Sequence, residues 1–189
     1  MSELRKDPIL DQWVIIAAER GHRPHDFAVH EQCETSASGC PFCAGNEDMT
    51  PPDVYCVPAH DDEDIELAEW LVRVVPNKFP SLAIEGEVRR SGIGYLDRMS
   101  GVGAHEVIIE TPEHCEDLSI LSNFHATAVI NTYIERLTDL RSDDRFRHIV
   151  IFRNYGSAAG ASLEHPHSQI IALPIVPRLV KDKQAALES

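Results

Sequence analysis

The stretch LSILSNFHATAVINTYIERLTDL, residues 118–140, and the apolar run that follows at 147–153 decide the fold class. In the first stretch, apolar side chains recur at roughly helical spacing, which predicts one long helix over 118–140. These are the side chains of Leu121, Phe124, Ala128, Tyr133, Ile134, Leu137 and Leu140. Ser119 or Ser122 can cap the start of this helix. The second stretch, Arg-His-Ile-Val-Ile-Phe-Arg, predicts a strand because it is apolar and rich in β-branched residues.

Short apolar runs elsewhere in the chain predict further strands. They cover residues 11–18, 70–75, 105–110 and 168–173. Several strands around one long helix indicate an α+β protein with a mainly antiparallel sheet. Residues 20–64 differ, because they are rich in His, Pro, Gly and acidic residues and show little periodicity. A segment of this length inside a compact domain is expected to be functional or to be held by a metal.

The composition excludes several classes of partner. Among 189 residues there are 17 Lys and Arg against 31 Asp and Glu, so the net charge is −14. A protein that binds nucleic acid or anionic membranes in general needs a basic face. No apolar stretch approaches the roughly 20 residues that span a bilayer. The first residues lack the apolar core of a signal peptide, and the five cysteines are an odd number, so we expect a cytoplasmic protein without a disulfide framework.

Cys40 and Cys43 have the spacing at which a tight turn points two sulfurs at one tetrahedral zinc ion. A thioredoxin-like redox pair has the same spacing, but it is expected between a strand and a helix, whereas Ser, Gly, Pro and Asn flank this pair. A zinc site needs two more ligands, which spacing alone leaves open. The available side chains are those of His114 and His165, after apparent strand ends, and those of His60, His105 and Cys115.

The pentapeptide His165-Pro166-His167-Ser168-Gln169 is the second group of residues that indicates chemistry. Residues two apart in an extended segment face the same side, so His165 and His167 can converge on one site. A neutral imidazole is a competent nucleophile toward phosphorus when its other nitrogen donates a hydrogen bond that fixes the tautomer. The Gly- and Ser-rich loop before the pentapeptide offers backbone amides that can cradle a phosphate. The alternative is that two surface histidines lie near a turn by chance.

Together with several other motifs, these residues resemble the galactose-1-phosphate uridylyltransferase family, a branch of the histidine-triad superfamily. The resemblance covers nearly the whole chain. Its other motifs are Arg5-Lys6-Asp7-Pro8 with Trp13-Val14-Ile15, Arg20-Gly21-His22-Arg23-Pro24, Ala44-Gly45-Asn46 after Cys43, Arg73-Val74-Val75-Pro76-Asn77-Lys78-Phe79-Pro80, Gly103-Ala104-His105-Glu106-Val107, and Asn154-Tyr155-Gly156 through Gly160 and Ser162. It implies a histidine-triad-like α+β fold, with a mainly antiparallel sheet packed against one long helix and a shorter C-terminal helix.

The resemblance also implies a role for each matching residue. Cys40, Cys43, His114 and His165 would hold a structural zinc ion that staples the irregular segment 20–64. His167 would be the nucleophile that takes the nucleotidyl group as a covalent intermediate. The substrate site would be lined by Arg23, Asn77, Phe79, Asn154, Gly160, Ser162 and Gln169, with Asn77 and Phe79 nearer the base and ribose.

Gln169 stands near the position where histidine-triad hydrolases have a further histidine. A glutamine amide does not exchange protons, but it can hydrogen-bond phosphoryl oxygens. A leaving sugar phosphate is stable as an anion, since its second pKa is about 6, and it needs little help from a general acid. Without a base to activate water, the nucleotidyl-histidine can wait for a second sugar phosphate. The resemblance therefore implies ping-pong transfer in which Gln169 acts beside His167.

Members of this family usually have two related halves, and residues 1–189 correspond to the first half as a single nucleotidyltransferase domain. A naturally short gene product, a fragment, and a homodimer that supplies the missing surface are the alternatives, and we expect a homodimer. The leading expectation for function is the transfer of UMP from UDP-glucose to galactose 1-phosphate. The two alternatives are an adenylyltransferase such as an ADP-glucose phosphorylase and a non-catalytic, zinc-stabilised nucleotide-binding module.

Overall fold

A computed structural model of the protein describes residues 2–22, 39–59, 69–114, 118–154, 159, 161 and 163–188. Nine strands and two α-helices lie within these ranges, together with the short 3-10 helices Ala18–His22 and Glu47–Met49. The elements are β1 (Glu3–Asp7), β2 (Gln12–Ile16), β3 (Tyr55–Pro58), β4 (Trp70–Pro76), β5 (Arg90–Ile93), β6 (Leu96–Ser100), β7 (Ala104–Ile109), α1 (Asn123–Arg141), β8 (His148–Phe152), β9 (His167–Leu173) and α2 (Arg178–Leu187).

The strands form two sheets, and every pairing between named strands is antiparallel. The four-stranded sheet has the order β2-β1-β6-β5, and the five-stranded sheet has the order β3-β4-β7-β9-β8. In the second sheet β9 lies between β7 and β8, so that His167 pairs with Ile109 and Gln169 pairs with Phe152. The expected α+β class with mainly antiparallel strands is confirmed, and so is the shorter C-terminal helix.

The five-stranded sheet has two different faces. Helix α1 packs on one of them, which we call the helix face, over a buried apolar core that includes Val129, Leu140, Ile108 and Ile170. Because side chains alternate along a strand, the neighbours of these residues point to the opposite side. That side, which we call the cavity face, carries a second buried cluster made of Cys40, Phe42, Cys43, Trp70, Val75, Val107 and Ile109.

The predicted long helix exists, but it begins at Asn123 and not at residue 118. Ser122, and not Ser119, is its N-cap, and the Ser122 side chain accepts a hydrogen bond from the backbone N–H of His125 at 3.1 Å. The predicted apolar face is also partly wrong, because Phe124 and Ile134 are 53% and 54% exposed. The buried face contains Arg136 instead, which a search for apolar residues could not find.

Three parts of the sheets were not predicted as strands. Strand β3 lies within the segment that shows little periodicity, and β1 lies before the first predicted strand. Strands β5 and β6 form a hairpin outside every predicted strand, and its turn contains Gly94 with a positive φ of 61°. Most residues of β5 and β6 are exposed, so neither strand has the apolar run on which the prediction relied. Among the described residues, no helix is both long enough and apolar enough to cross a membrane.

Candidate active site and metal centre

A cavity of about 500 Å³ opens on the cavity face of the five-stranded sheet. Its volume lies in the range of pockets that bind small molecules and cofactors. The loop before Cys43, the end of β4 with the residues after it, and the first half of β9 contribute to its wall. The lining side chains include Pro41, Phe42, Asn77, Phe79, His167 and Gln169.

His167 is the first residue of β9 and is 7% exposed. Its Nδ1 lies 2.8 Å from the backbone oxygen of His165. A carbonyl oxygen can only accept, so Nδ1 carries the proton and donates it. Nε2 is then the ring nitrogen that keeps a lone pair. This is the tautomer that a nucleophilic imidazole requires, since one nitrogen is held by an acceptor and the other is basic.

Four metal-binding side chains meet beside this strand. The ligand atoms of Cys40, Cys43, His114 and His165 all lie within 4.8 Å of one another. Cys43 Sγ is 3.2 Å from His114 Nδ1 and 3.5 Å from His165 Nδ1. Sulfur and nitrogen ligands of one tetrahedral zinc ion are separated by about 3.6 Å, given their usual bond lengths. Two thiols and two imidazoles in this geometry can therefore hold zinc in a closed, four-ligand site.

The orientation of His165 suits a metal ligand. Its Nε2 lies 2.8 Å from the backbone oxygen of Thr111 and must donate to it, so Nδ1 keeps the lone pair that faces Cys43. A hydrogen bond from the second ring nitrogen is the usual way in which proteins orient a histidine ligand. Burial lowers the pKa of His165 to about 4, so this ring is neutral at pH 7. Burial and the neighbouring Cys40 raise the pKa of the Cys43 thiol to about 12.

Phe42 connects the cluster of candidate metal ligands with His167. Its ring makes edge contacts with the rings of His165 and His167, at centroid distances of 5.9 and 5.4 Å. Phe42 also lines the cavity, and it is adjacent in sequence to Cys43. A metal ion that orders Cys40 and Cys43 would therefore also order the ring that packs against His167.

Two amide side chains line the cavity near His167. Asn77 follows β4, and its Oδ1 accepts a hydrogen bond of 2.9 Å from the backbone N–H of Phe79. Gln169 lies two residues beyond His167 on the same face of β9, and its Oε1 is 2.9 Å from Nε2 of His105. His105, on β7, is 5% exposed and also accepts a hydrogen bond from the backbone N–H of Ser81.

The helix face carries a different polar group next to the segment that contains His167. Glu110 is fully buried and accepts hydrogen bonds from the hydroxyl groups of Ser168 and Tyr133, the latter at 2.9 Å. Arg153 Nε lies 3.2 Å from its second carboxylate oxygen. The backbone N–H of Glu110 also donates to the oxygen of Pro166, between the two histidines of the pentapeptide. This buried cluster therefore holds the segment from which His167 projects.

The predicted site residues fall into three groups. The structure brings together the four predicted metal ligands, and it places Asn77, Phe79, His167 and Gln169 around one cavity. Asn154 follows the end of β8, two residues beyond the partner of Gln169, and does not line this cavity. Arg23, Gly160 and Ser162 lie outside the described residues, as do the alternative ligands His60 and Cys115 and the parts 23–38 and 60–64 of the segment 20–64.

Three residues near the site were not assigned to it from the sequence. The sequence predicts Glu110 and Tyr133 only as parts of a strand and a helix, and it gives His105 no role beyond a strand, a family motif and an alternative metal ligand. His105 instead contacts Ser81 and Gln169, away from the cluster of Cys40, Cys43, His114 and His165. The signal that could have found it is strand periodicity, since residues two apart on β7 share the cavity face.

Comparisons with known proteins agree on one family. A profile described as "Galactose-1-phosphate uridyl transferase, N-terminal domain" matches residues 1–177. An ADP-glucose phosphorylase of Arabidopsis thaliana is 35% identical over 185 residues, 96% of this chain and 51% of that protein. A galactose-1-phosphate uridylyltransferase of Thermotoga maritima is 30% identical over 188 residues, 99% of this chain and 51% of that protein. The chain thus spans about half the length of these relatives.

A solved structure gives the same result. The crystal structure of an ADP-glucose phosphorylase from Arabidopsis thaliana with bound ADP-glucose has a TM-score of 0.63 to this chain at 32% sequence identity. The match covers 97% of this chain and 52% of that chain.

Proposed function

The chain belongs to the galactose-1-phosphate uridyl transferase family, and on this premise we propose that it transfers a nucleoside monophosphate group from a sugar nucleotide to a second phosphate. The group would be carried on His167 as a covalent intermediate. The observation that carries the proposal is the tautomer of His167, whose Nδ1–H is held by the backbone oxygen of His165 while Nε2 keeps its lone pair in the cavity wall.

In the first step, Nε2 of His167 attacks the α-phosphorus of the sugar nucleotide. A nitrogen–phosphorus bond forms, and the bond from this phosphorus to the bridging oxygen breaks, so that a sugar 1-phosphate leaves with that oxygen. The leaving group is stable as an anion near neutral pH, because its second pKa is about 6. Gln169, two residues along the strand, can donate a hydrogen bond to the phosphoryl oxygens but cannot activate water.

In the second step, a phosphate oxygen of the acceptor attacks the same phosphorus. The nitrogen–phosphorus bond breaks, a new phosphoanhydride is released, and His167 returns to its starting state. This order of events is ping-pong transfer, in which the first product leaves before the acceptor reacts. The lone pair on Nε2 forms the nitrogen–phosphorus bond in the first step and is regained in the second. The hydrogen bond from Nδ1–H to the backbone oxygen of His165 therefore orients the ring in both steps.

Cys40, Cys43, His114 and His165 would hold zinc as a structural ion. When bound, the ion would tie the loop around Cys43 to the residues after β7 and to the start of β9. No step of the transfer needs it directly. Its contribution is to fix the backbone around His165, whose oxygen orients His167. The irregular segment 20–64, in which both cysteines lie, would be stapled in the same way.

The proposal also concerns which sugar nucleotide is the donor and which phosphate is the acceptor. UDP-glucose with galactose 1-phosphate is the first candidate, and the 30% identity to a galactose-1-phosphate uridylyltransferase supports it. ADP-glucose with phosphate is the second candidate, and the 35% identity to an ADP-glucose phosphorylase supports it. Both donors release glucose 1-phosphate in the first step. The candidates therefore share one chemistry at His167 and differ in the base and the acceptor.

We also propose that residues 1–189 act as one nucleotidyltransferase domain, equivalent to the N-terminal half of the longer relatives, and that two copies associate as a homodimer. The matched relatives have about twice this length. In a homodimer, the second copy would provide the surface next to the cavity that the second half of the longer relatives would otherwise provide. Sedimentation analysis of the chain with and without each sugar nucleotide tests this association.

The test of the function is to incubate the protein with UDP-glucose or ADP-glucose and to measure its intact mass. The expected result is the addition of one uridylyl or one adenylyl group, with release of glucose 1-phosphate, and fragmentation should locate the group on His167. His148→Asn, on the neighbouring strand β8, is the matched control and should be labelled like the unchanged protein. If neither donor labels the protein, the proposal is wrong, and the result agrees with the alternative of a non-catalytic nucleotide-binding module.

A further inference from the structure

His105 lies behind the wall of the cavity and contacts Gln169, which lies in that wall. Three contacts of its ring decide how the protons are arranged. The backbone N–H of Ser81 is 2.9 Å from Nδ1, and Oε1 of Gln169 is 2.9 Å from Nε2. The third contact joins Nε2 to Nδ2 of Asn77 at 3.2 Å.

The Ser81 contact fixes the tautomer of His105. A backbone N–H can only donate, so Nδ1 of His105 accepts and has no proton. A neutral imidazole that accepts at Nδ1 carries its proton at Nε2. Nε2 therefore donates to the atom of Gln169 that lies 2.9 Å away, and that atom must be the amide oxygen. The orientation of the Gln169 amide thus follows from a backbone donor two contacts away.

The same reasoning applies to Asn77. The backbone N–H of Phe79 donates to Oδ1 of Asn77, so the atom of Asn77 that lies near His105 is the amide nitrogen. Nε2–H of His105 and this NH₂ group are both donors, and they make no hydrogen bond with each other. Both amides of the cavity wall consequently have their oxygens engaged by protein donors. An amide donates only through its NH₂ group, so this is the group of Gln169 that remains for an acceptor in the cavity.

We propose that His105 is a positioning residue for nucleotidyl transfer. By holding Oε1 of Gln169, it keeps the NH₂ group of Gln169 turned toward the phosphoryl group that reacts with His167. Non-bridging phosphoryl oxygens only accept hydrogen bonds, so a reversed amide would place one acceptor against another. The inference rests on the proposed function, because it assigns a role to His105 in that reaction.

The first arm of the test measures the tautomer and needs no activity. Nitrogen NMR of the full chain with labelled histidine, at neutral pH, reports which nitrogen of each ring carries a proton. The His105 signals are assigned by their loss in His105→Gln. The expected result is a protonated Nε2 and an unprotonated Nδ1. A proton on Nδ1, alone or together with one on Nε2, would overturn the inference.

The second arm measures the rate at which His167 is labelled at a saturating concentration of the donor. His105→Phe keeps a ring but cannot hold Gln169. It should slow labelling by about 10- to 100-fold. Removing a hydrogen-bond donor to the reacting group costs about 10² to 10³-fold in rate, and this variant keeps the donor Gln169 but no longer holds it in place. The donor concentration at half-saturation should change much less. His105→Gln should restore most of the rate, since its amide can reach the same oxygen. His105→Asn has a shorter amide that reaches Ser81 but not Gln169, so it should behave like His105→Phe. If His105→Phe does not fold, His105→Asn is used in its place.

A double-mutant cycle separates positioning from a general loss of structure. If His105 acts through Gln169, then His105→Phe should have little effect in a protein that already carries Gln169→Ala. An equal loss of rate in both backgrounds would overturn the inference and leave the proposed function intact. Absence of labelling in the unchanged protein would instead overturn the proposed function, and the NMR arm would still decide the tautomer.

Discussion

The two faces of β9 use polar residues in opposite ways. On the helix face, the hydroxyl of Ser168 donates a hydrogen bond to Glu110. The same carboxylate accepts a hydrogen bond from Tyr133 and forms an ion pair with Arg153. On the cavity face, His167 and Gln169 each have a ring or amide atom within hydrogen-bond distance of a protein partner, and both side chains line the cavity. Neighbouring residues of one strand therefore differ in their surroundings: one side is packed inside the protein, and the other lines the cavity in which we propose that the chemistry occurs.

The difference follows from what each face is packed against. Helix α1 covers the helix face, so a polar group there must find its partners within the protein or lose free energy on burial. The Glu106–Arg136 ion pair, with its 2.8 Å contact between β7 and α1, obeys the same rule. The cavity face is open to a ligand, so its polar groups need only enough partners to fix their orientation. Substitutions on the two faces should therefore separate activity from stability.

The largest effect is expected for His167→Gly on the cavity face. Labelling by either sugar nucleotide should fall by about 10³-fold or more, because the nitrogen that we propose as the attacking atom is gone. The free energy of unfolding should fall by about 2 kcal/mol, because glycine is unfavourable inside a strand and the packing of a buried ring is lost. Added imidazole should restore some turnover by filling the vacated space. Chemical denaturation and intact-mass kinetics measure the two quantities, and labelling of the variant at an unchanged rate would exclude His167 as the nucleophile.

Cys43→Ser should break the metal centre on the same face. We expect the zinc content to fall from about one ion per chain toward none and the melting temperature to fall with it, because metal binding contributes to folding. Cys56→Ser, at an exposed cysteine of β3, is the matched control and should retain its metal. Full metal content at unchanged stability in Cys43→Ser would show that these ligands are wrongly assigned.

Glu110→Ala tests the helix face. It leaves Arg153 without its carboxylate and two hydroxyl groups without their acceptor, and we expect a loss of about 3 kcal/mol in the free energy of unfolding. Urea denaturation measures the loss, and Glu113→Ala, at an exposed position, should change stability by less than about 0.5 kcal/mol. Equal stabilities of the two variants would contradict the structural role of this buried cluster.

Zinc affinity should depend on pH through Cys43 and not through His165. Because the pKa of the Cys43 thiol is raised to about 12 in the metal-free protein, zinc must displace its proton, and affinity rises with pH by about tenfold per unit for each such proton. His165, with a pKa of about 4, is neutral above about pH 5 and adds nothing to this slope. Competition with a chelator between about pH 6 and pH 8 measures it. A flat profile would contradict the prediction.

The smallest effect is expected for Tyr133→Phe. The substitution removes one hydroxyl that lies 2.9 Å from Glu110 and 2.8 Å from Ser168, and a hydrogen bond of this kind contributes about 1 kcal/mol. The labelling rate should change by less than about twofold, because the ring still packs under the sheet. Tyr95→Phe, at a side chain that is 98% exposed, is the control for stability. A large loss of activity without a loss of stability would mean that the two faces are coupled.

Local patterns in the sequence were enough for much of the fold and for part of the site. Apolar runs indicated β4, β7, β8 and β9, because a buried strand needs a continuous apolar face. Helical spacing indicated α1, although its first turn and one side of its face were assigned wrongly. The two-residue spacing of Cys40 and Cys43, and the alternation of His165 and His167, indicated shared sites because both depend only on local geometry. The family resemblance added His114, which spacing had left among several candidates.

Only the tertiary structure decided which distant residues meet. It brings His114 and His165 to the two cysteines and places His105 against Gln169 instead. In the register between β7 and β9, Gln169 pairs with Val107, so it lies diagonally across from His105 on the same face. The tertiary structure also pairs Glu110 with Arg153 and Tyr133, three residues from separate elements that no spacing rule connects. Sequence periodicity reports the face on which a residue lies. The partner on that face depends on strand order and register, which arise only when the whole sheet is assembled.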